Sequence, residues 1–176
     1  EGVSAPMRER GLELVEPGSP LADVVVVGAA ASYDAATLNA AALAVADGAA
    51  FYTTAGTPWF HGGRGRSLAV SASIAASVSF ATGREPIVAG KPSAVLAESL
   101  LRRLDVPGSA AAVVGDALAE IQLAHHMGGT GILLLSGATS LSDLDTLPQP
   151  ERPDIVVDDV AVLHRRLAPQ STRQGA

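Results

Sequence analysis

Residues 110–137, AAAVVGDALAEIQLAHHMGGTGILLLSG, constrain this chain more than any other stretch. Two short, continuously apolar runs, 110–114 and 131–135, flank a helical segment set off by glycines. Unbroken apolar runs of that length suit strands buried on both faces, and two of them around one helix make a parallel βαβ unit. In open α/β sheets, ligands bind beyond the C-terminal ends of the strands. Asp116 stands at that position, and Glu120 follows four residues later, so both carboxylates fit one face of the first helical turn. Two readings suit the pair. Convergent carboxylates at a strand end match a hard cation such as Mg²⁺, which takes oxygen ligands and keeps part of its water shell. An N-cap Asp and a first-turn Glu are also what a helix N-terminus favours.

The remaining chain repeats the same alternation. Residues 21–28 (LADVVVVG) read as a strand, and the valine run implies burial on both faces. A helix follows over 33–46, with Ser32 as its cap and Gly48 as its stop. Then come a strand at 49–54, a Gly-rich loop at 55–67, a helix at 68–81 and a short strand at 86–89. Ser93 can cap a helix over 94–104. After the βαβ unit, a loop (138–153), a strand (154–157) and a helix (160–167) complete the pattern. This order predicts an α/β fold with parallel strands, divided into two lobes between Pro86 and Pro92.

Composition narrows the function. Among 176 residues, 48% are hydrophobic and 3% aromatic, so a core must be built from Ala, Val, Leu and Ile. Without cysteine there is no disulfide, no zinc–thiolate site and no thiol nucleophile. The net charge of −6, with basic residues such as Arg64/Arg66 and Arg165/Arg166 gathered in pairs and no larger cluster, argues against a nucleic-acid partner. No apolar run approaches the roughly 18 residues of a membrane span, and residues 1–11 lack a signal-peptide core. A cytoplasmic location is the expectation.

Other chemistry-bearing residues are scattered. Lys91 lies between Gly90 and Pro92, after a strand and before a capped helix, where it can offer a charge to a phosphate or carboxylate, although taken alone it reads first as an exposed loop lysine. The loop 55–67 can form an anion-binding nest with Arg64 and Arg66, or be a solvated surface loop. Trp59 and His61 are candidates to line a pocket. His125 and His126 lack a third ligand at metal spacing and read as packing or surface residues, while Asp143, Asp145, Asp158 and Asp159 read as cap or turn residues. There is no G-x-G-x-x-G, no G-K-[ST] and no G-x-S-x-G.

In combination and order, the segments VVVVGAAASYDAATLNAAALAVADGAAFYTT, ATGREPIVAGKPS, VVGDALAEIQLA, ILLLSGATS and PDIVVDDVAVL resemble the haloacid dehalogenase (HAD) superfamily of phosphatases, in its NagD and p-nitrophenyl phosphatase branch. The resemblance covers most of 21–163. It implies a Rossmann-like core with an inserted α/β cap domain, the cap over residues 1–85 and the C-terminal part of the core over 86–176. It further implies Lys91 as the lysine that stabilises phosphate, Asp116 as a Mg²⁺-binding acid with Glu120 as the second, and Thr54 and Arg64 as substrate contacts from the cap. The substrate class implied is a small phosphorylated metabolite, hydrolysed through an aspartyl-phosphate.

Departures from the family pattern accompany the match. The nucleophile motif D-x-D-G is absent, and the cap loop has Thr54-Ala55-Gly56-Thr57 and Gly62-Gly63-Arg64-Gly65 where the family usually has T-N-x-D and P-G-x-G. The expectation is therefore that an N-terminal half of the core, in the same protein or another chain, supplies the nucleophile. Without it the strand at 110–114 would expose an edge that invites self-association into a homo-oligomer. The alternative is a non-catalytic homologue with a binding or assembly role.

Overall fold

A computed structural model describes residues 2–16, 18–19, 21–62 and 65–168. The chain forms two compact units, Glu1–Leu96 and Ala97–Ala176. The first opens with a short helix α1 (Ser4–Glu9) and contains a parallel sheet in the order β1 (Val24–Val27), β2 (Ala50–Thr53), β5 (Ile87–Val88). Helices α2 (Ala35–Ala46) and α3 (Val70–Thr82) pack on each other and on this sheet. Their interface is the core of the unit: Val27, Val45, Phe51, Ala75 and Val78 are buried together, backed by Val25, Leu38 and Ile74.

Local chemistry fixes the helix ends. Asp34, rather than Ser32, caps α2, because its carboxylate accepts the Thr37 N–H at 2.8 Å. Gly83 ends α3 in the left-handed region at φ 66°, its N–H bonding the Ser79 carbonyl. The expectation of two-sided burial for the valine run does not hold in full. Val25 and Val27 join the helix-facing core, while Val24 is 51% exposed. Strand alternation sends every second valine to the opposite face, whatever its hydrophobicity.

The stretch expected as loop, 55–67, contains an antiparallel hairpin of β3 (Trp59–Gly62) and β4 (Gly65–Leu68), with Trp59 opposite Leu68 and Gly62 opposite Gly65. Its glycines and arginines hid the strands from a propensity reading. Arg66 lies over the Trp59 ring at 4.6 Å, a cation–π pair across the ribbon.

Helix α4 (Ala94–Leu104) follows β5, and its first turn is capped as expected, Ser93 Oγ accepting the Leu96 N–H at 3.1 Å. The second unit has a parallel sheet in the order β6 (Ala112–Gly115), β7 (Thr130–Leu134), β8 (Ile155–Val157). Helix α5 (Leu118–Met127) packs on β6 and β7 through Ile121, Ala124 and Leu133, each fully buried. Helix α7 (Val160–Leu167) packs on β8 through Leu163 and Val157. The expected loop at 138–153 holds a short helix α6 (Leu141–Asp145). Among the described residues β6 is an edge strand, and Val114 on it is 43% exposed.

The two compact units divide after Leu96. Strand β5 hydrogen-bonds to β2, Tyr52 beside Ile87 and Thr53 beside Val88, which keeps residues 87–88 in the first sheet. Among the described residues no helix is long and apolar enough to cross a membrane.

Candidate functional site

Each parallel sheet presents a group of residues at the C-terminal ends of its strands. In the first unit these are the loops after β2 and β5. The Thr54 N–H continues the ladder by bonding the Val27 carbonyl at 3.0 Å, and the Ala89 N–H bonds the Thr53 carbonyl at 2.8 Å. The two loops then touch: a Cβ placed on Gly90 would lie 2.0 Å from the Thr54 carbonyl oxygen. Only a residue without a side chain fits there, so Gly90 fixes where Lys91 begins. Lys91 is exposed, and Ser93 directly beyond Pro92 is buried as the cap of α4. The structure thus brings Thr54 and the Gly90-Lys91 turn together on adjacent strand ends. Arg64 lies outside the described residues. Arg66, the other arginine of that loop, is engaged by Trp59.

In the second unit, Asp116 leaves the end of β6 and is half-buried. It does not cap α5, as one sequence reading allowed; Ala117 occupies the N-cap position. The Asp116 carboxylate instead crosses to the loop after β7, where Oδ2 accepts the Ala138 N–H at 3.0 Å. Gly137 makes the room, since a Cβ there would fall 1.9 Å from Oδ2. Glu120, in the first turn of α5, folds back so that Oε2 accepts the Ala117 N–H at 3.1 Å. Gly115 accommodates it, because a Cβ at 115 would lie 2.3 Å from Glu120 Cγ. The first-turn reading of Glu120 is therefore realised, with Asp116 and Glu120 flanking one tight turn.

This turn fits a divalent cation in part. Asp116 provides a carboxylate at a strand end, seated in a cradle that any Cβ at 137 would fill. Among the described residues no three His, Asp or Glu side chains gather at metal-binding spacing. The chain's described residues thus offer at most this pair, and further oxygens would come from water, substrate or another segment.

The other candidates fall away from this turn. His125 Nε2 lies 3.9 Å from Asp154, whose carboxylate also accepts the Gly131 N–H at 2.7 Å, so this histidine belongs to a structural link. Asp159 caps α7 through the Val162 N–H at 2.7 Å, and Asp143 accepts the Ser140 N–H at 2.7 Å, both as expected of cap residues. Hydrogen bonds from the Ser140 hydroxyl and then its backbone hold the Asp143 carboxyl below its ordinary value. A D-x-D spacing does occur once, Asp143-Leu144-Asp145, but it lies in helix α6 and Thr146 follows where the nucleophile motif has glycine. A cleft of the first unit is lined by Asp23, Gly48 and Ala49, at the N-terminal ends of β1 and β2, the end opposite the Thr54 and Lys91 loops. Reading the sequence missed Gly137 and the Ala138 amide; their only signal was the Ser-Gly that ends the second apolar run.

Residues 88–163 match a HAD-hydrolase-like family model. The chain is 36% identical over 154 residues to ribonucleotide monophosphatase NagD of Escherichia coli strain K12, covering 85% of this chain and 59% of that protein. It therefore spans well under two thirds of that relative's length. A p-nitrophenyl phosphatase from Archaeoglobus fulgidus superposes with a TM-score of 0.82 at 27% identity, over 95% of this chain and 64% of the other. A glycerol phosphate phosphatase from Mycobacterium tuberculosis, solved in complex with magnesium, superposes with a TM-score of 0.81 at 31% identity, over 92% of this chain and 49% of the other.

Proposed function

Because the chain belongs to the haloacid dehalogenase superfamily, in its NagD-like branch, we propose that the whole protein is a Mg²⁺-dependent phosphatase of a small phosphorylated metabolite. The observation that carries the reading is Asp116: a carboxylate at the C-terminal end of a parallel strand, with one oxygen fixed by the Ala138 N–H. On this reading residues 1–85 serve as the cap domain and residues 86–176 as the C-terminal part of the core. Asp116 holds the cation, and Glu120 contributes as second acid while bracing the turn through the Ala117 N–H. Lys91 offers positive charge to the phosphoryl oxygens, from a backbone position set by Gly90 against Thr54. Thr54 and Arg64 are proposed as substrate contacts. The cation supplies charge neutralisation at those oxygens when bound.

The nucleophilic aspartate is proposed to come from a segment outside this sequence, on a strand that pairs with the open edge of β6. That pairing would also cover Val114, removing an edge that otherwise favours self-association. The test is hydrolysis of p-nitrophenyl phosphate by the full-length protein, with and without EDTA. Turnover should vanish with EDTA, return with Mg²⁺, and fall far more in Asp116→Asn than in Glu120→Gln. Undiminished turnover in metal-stripped protein refutes the proposal.

A further inference from the structure

We propose that Gly137 and the Ala138 N–H are positioning elements that restrict Asp116 to one oxygen toward a cation, and so favour Mg²⁺ over Ca²⁺. The inference rests on the reading of Asp116 as a metal-holding acid, and adds the device that sets its cation preference. The Ala138 N–H holds Oδ2 at 3.0 Å, and Oδ1 has no hydrogen-bond partner among the described residues. Gly137 is needed for want of a side chain, not for an unusual backbone, since its φ lies outside the left-handed region. A Cβ there would meet Oδ2 at 1.9 Å, Cβ of Asp116 at 2.4 Å and Cγ at 2.5 Å. Rotating the carboxylate would relieve the contacts with Oδ2 and Cγ but not the one with Cβ, so the loop at 137–138 would have to draw back from Asp116, and the Ala138 bond would go with it.

The consequence follows from how the two ions use carboxylates. Ca²⁺ takes six to eight oxygens in flexible geometry and often engages both oxygens of one carboxylate, whereas Mg²⁺ demands a near-octahedral shell with single oxygens and retained waters. A carboxylate with one oxygen bound to a backbone amide is prepared for the second kind of ion. Outer partners of this type typically change metal affinity about 10- to 100-fold when removed.

The experiment measures Mn²⁺ bound to the full-length protein by electron paramagnetic resonance, and then its displacement by Mg²⁺ or Ca²⁺. The wild-type protein should release Mn²⁺ at lower Mg²⁺ than Ca²⁺. Gly137→Ala should shift the Ca²⁺/Mg²⁺ affinity ratio about tenfold toward Ca²⁺. A purely structural role for Gly137 would lower thermal stability without moving that ratio. Amide exchange at Ala138 in the wild-type protein supplies a readout that needs no variant: protection should persist when Mg²⁺ binds. Wild-type protein that prefers Ca²⁺, an Ala138 amide that loses protection on Mg²⁺ binding, or an unchanged ratio in folded Gly137→Ala each overturns the clamp. Asp116→Asn separates the two levels. If it leaves Mn²⁺ binding intact, the metal-site reading itself fails; if it abolishes binding while Gly137→Ala leaves the ratio unmoved, only the clamp fails.

Discussion

Replacing Gly90 by alanine tests how the Lys91 turn is built. The new Cβ would meet three atoms of Thr54: the carbonyl oxygen at 2.0 Å, the carbonyl carbon at 2.9 Å and Cα at 3.6 Å. All are backbone, so no side chain can swing aside. Relaxing to an ordinary carbon–oxygen contact of about 3.3 Å means separating the two loops by more than about 1 Å. The nearest bond to be stretched is Ala89 N–H to the Thr53 carbonyl, at 2.8 Å, beside a strand β5 of only two residues. Losing that bond costs about 1 kcal/mol, and forcing a group into a packed site costs roughly 1–3 kcal/mol. The sum is about 2–4 kcal/mol, or roughly 10 °C or more in Tm for a unit of this size. Calorimetry and urea unfolding of Gly90→Ala beside wild type measure it. Gly2→Ala is the control, because nothing lies within 4 Å of a Cβ at that position. A loss below about 0.5 kcal/mol, the range of inconsequential surface changes, would refute the close approach of the two loops.

Lys91→Met should lower kcat/KM of the full-length protein about 10²-fold, roughly 3 kcal/mol of transition-state stabilisation, with the fold retained by circular dichroism; unchanged kinetics would make Lys91 an ordinary surface residue. The Asp34 carboxyl sits below its ordinary 3.8, held there chiefly by the Thr37 backbone N–H and then by the Thr37 hydroxyl. Its contribution is thus present above 3.8 and lost as pH falls through the lower folded value. Wild type should exceed Asp34→Ala in stability at pH 7, and the gap should close in acid denaturation; a gap constant with pH would contradict the cap. Phe80 is 93% exposed on α3, so Phe80→Ser should change the unfolding free energy by no more than about 0.5 kcal/mol. A larger loss, measured by urea unfolding, would show that Phe80 packs against something.

Much of the fold was legible from local chemistry. Apolar runs bounded by glycine gave the strands, Ser93 and Asp159 were correctly placed at helix starts, and the order of elements gave the α/β class with parallel sheets. Lys91 and Asp116 stood out because each follows a strand, and that position needs no tertiary knowledge. The rest depended on which segments meet across the fold. The valine run of β1 looks uniform, yet only alternate residues find α2 and α3. The hairpin at 59–68 was invisible because its pairing, not its composition, makes it a sheet. Glu120 folds back within its own turn, so its capping bond was readable from spacing alone. Asp116 reaches Ala138, 22 residues away, and Gly137 is required only by the atom that Asp116 places beside it. Periodicity and caps act between near neighbours in sequence and can be read there. A missing Cβ matters only through what another part of the chain brings against it, and only the folded backbone decides that.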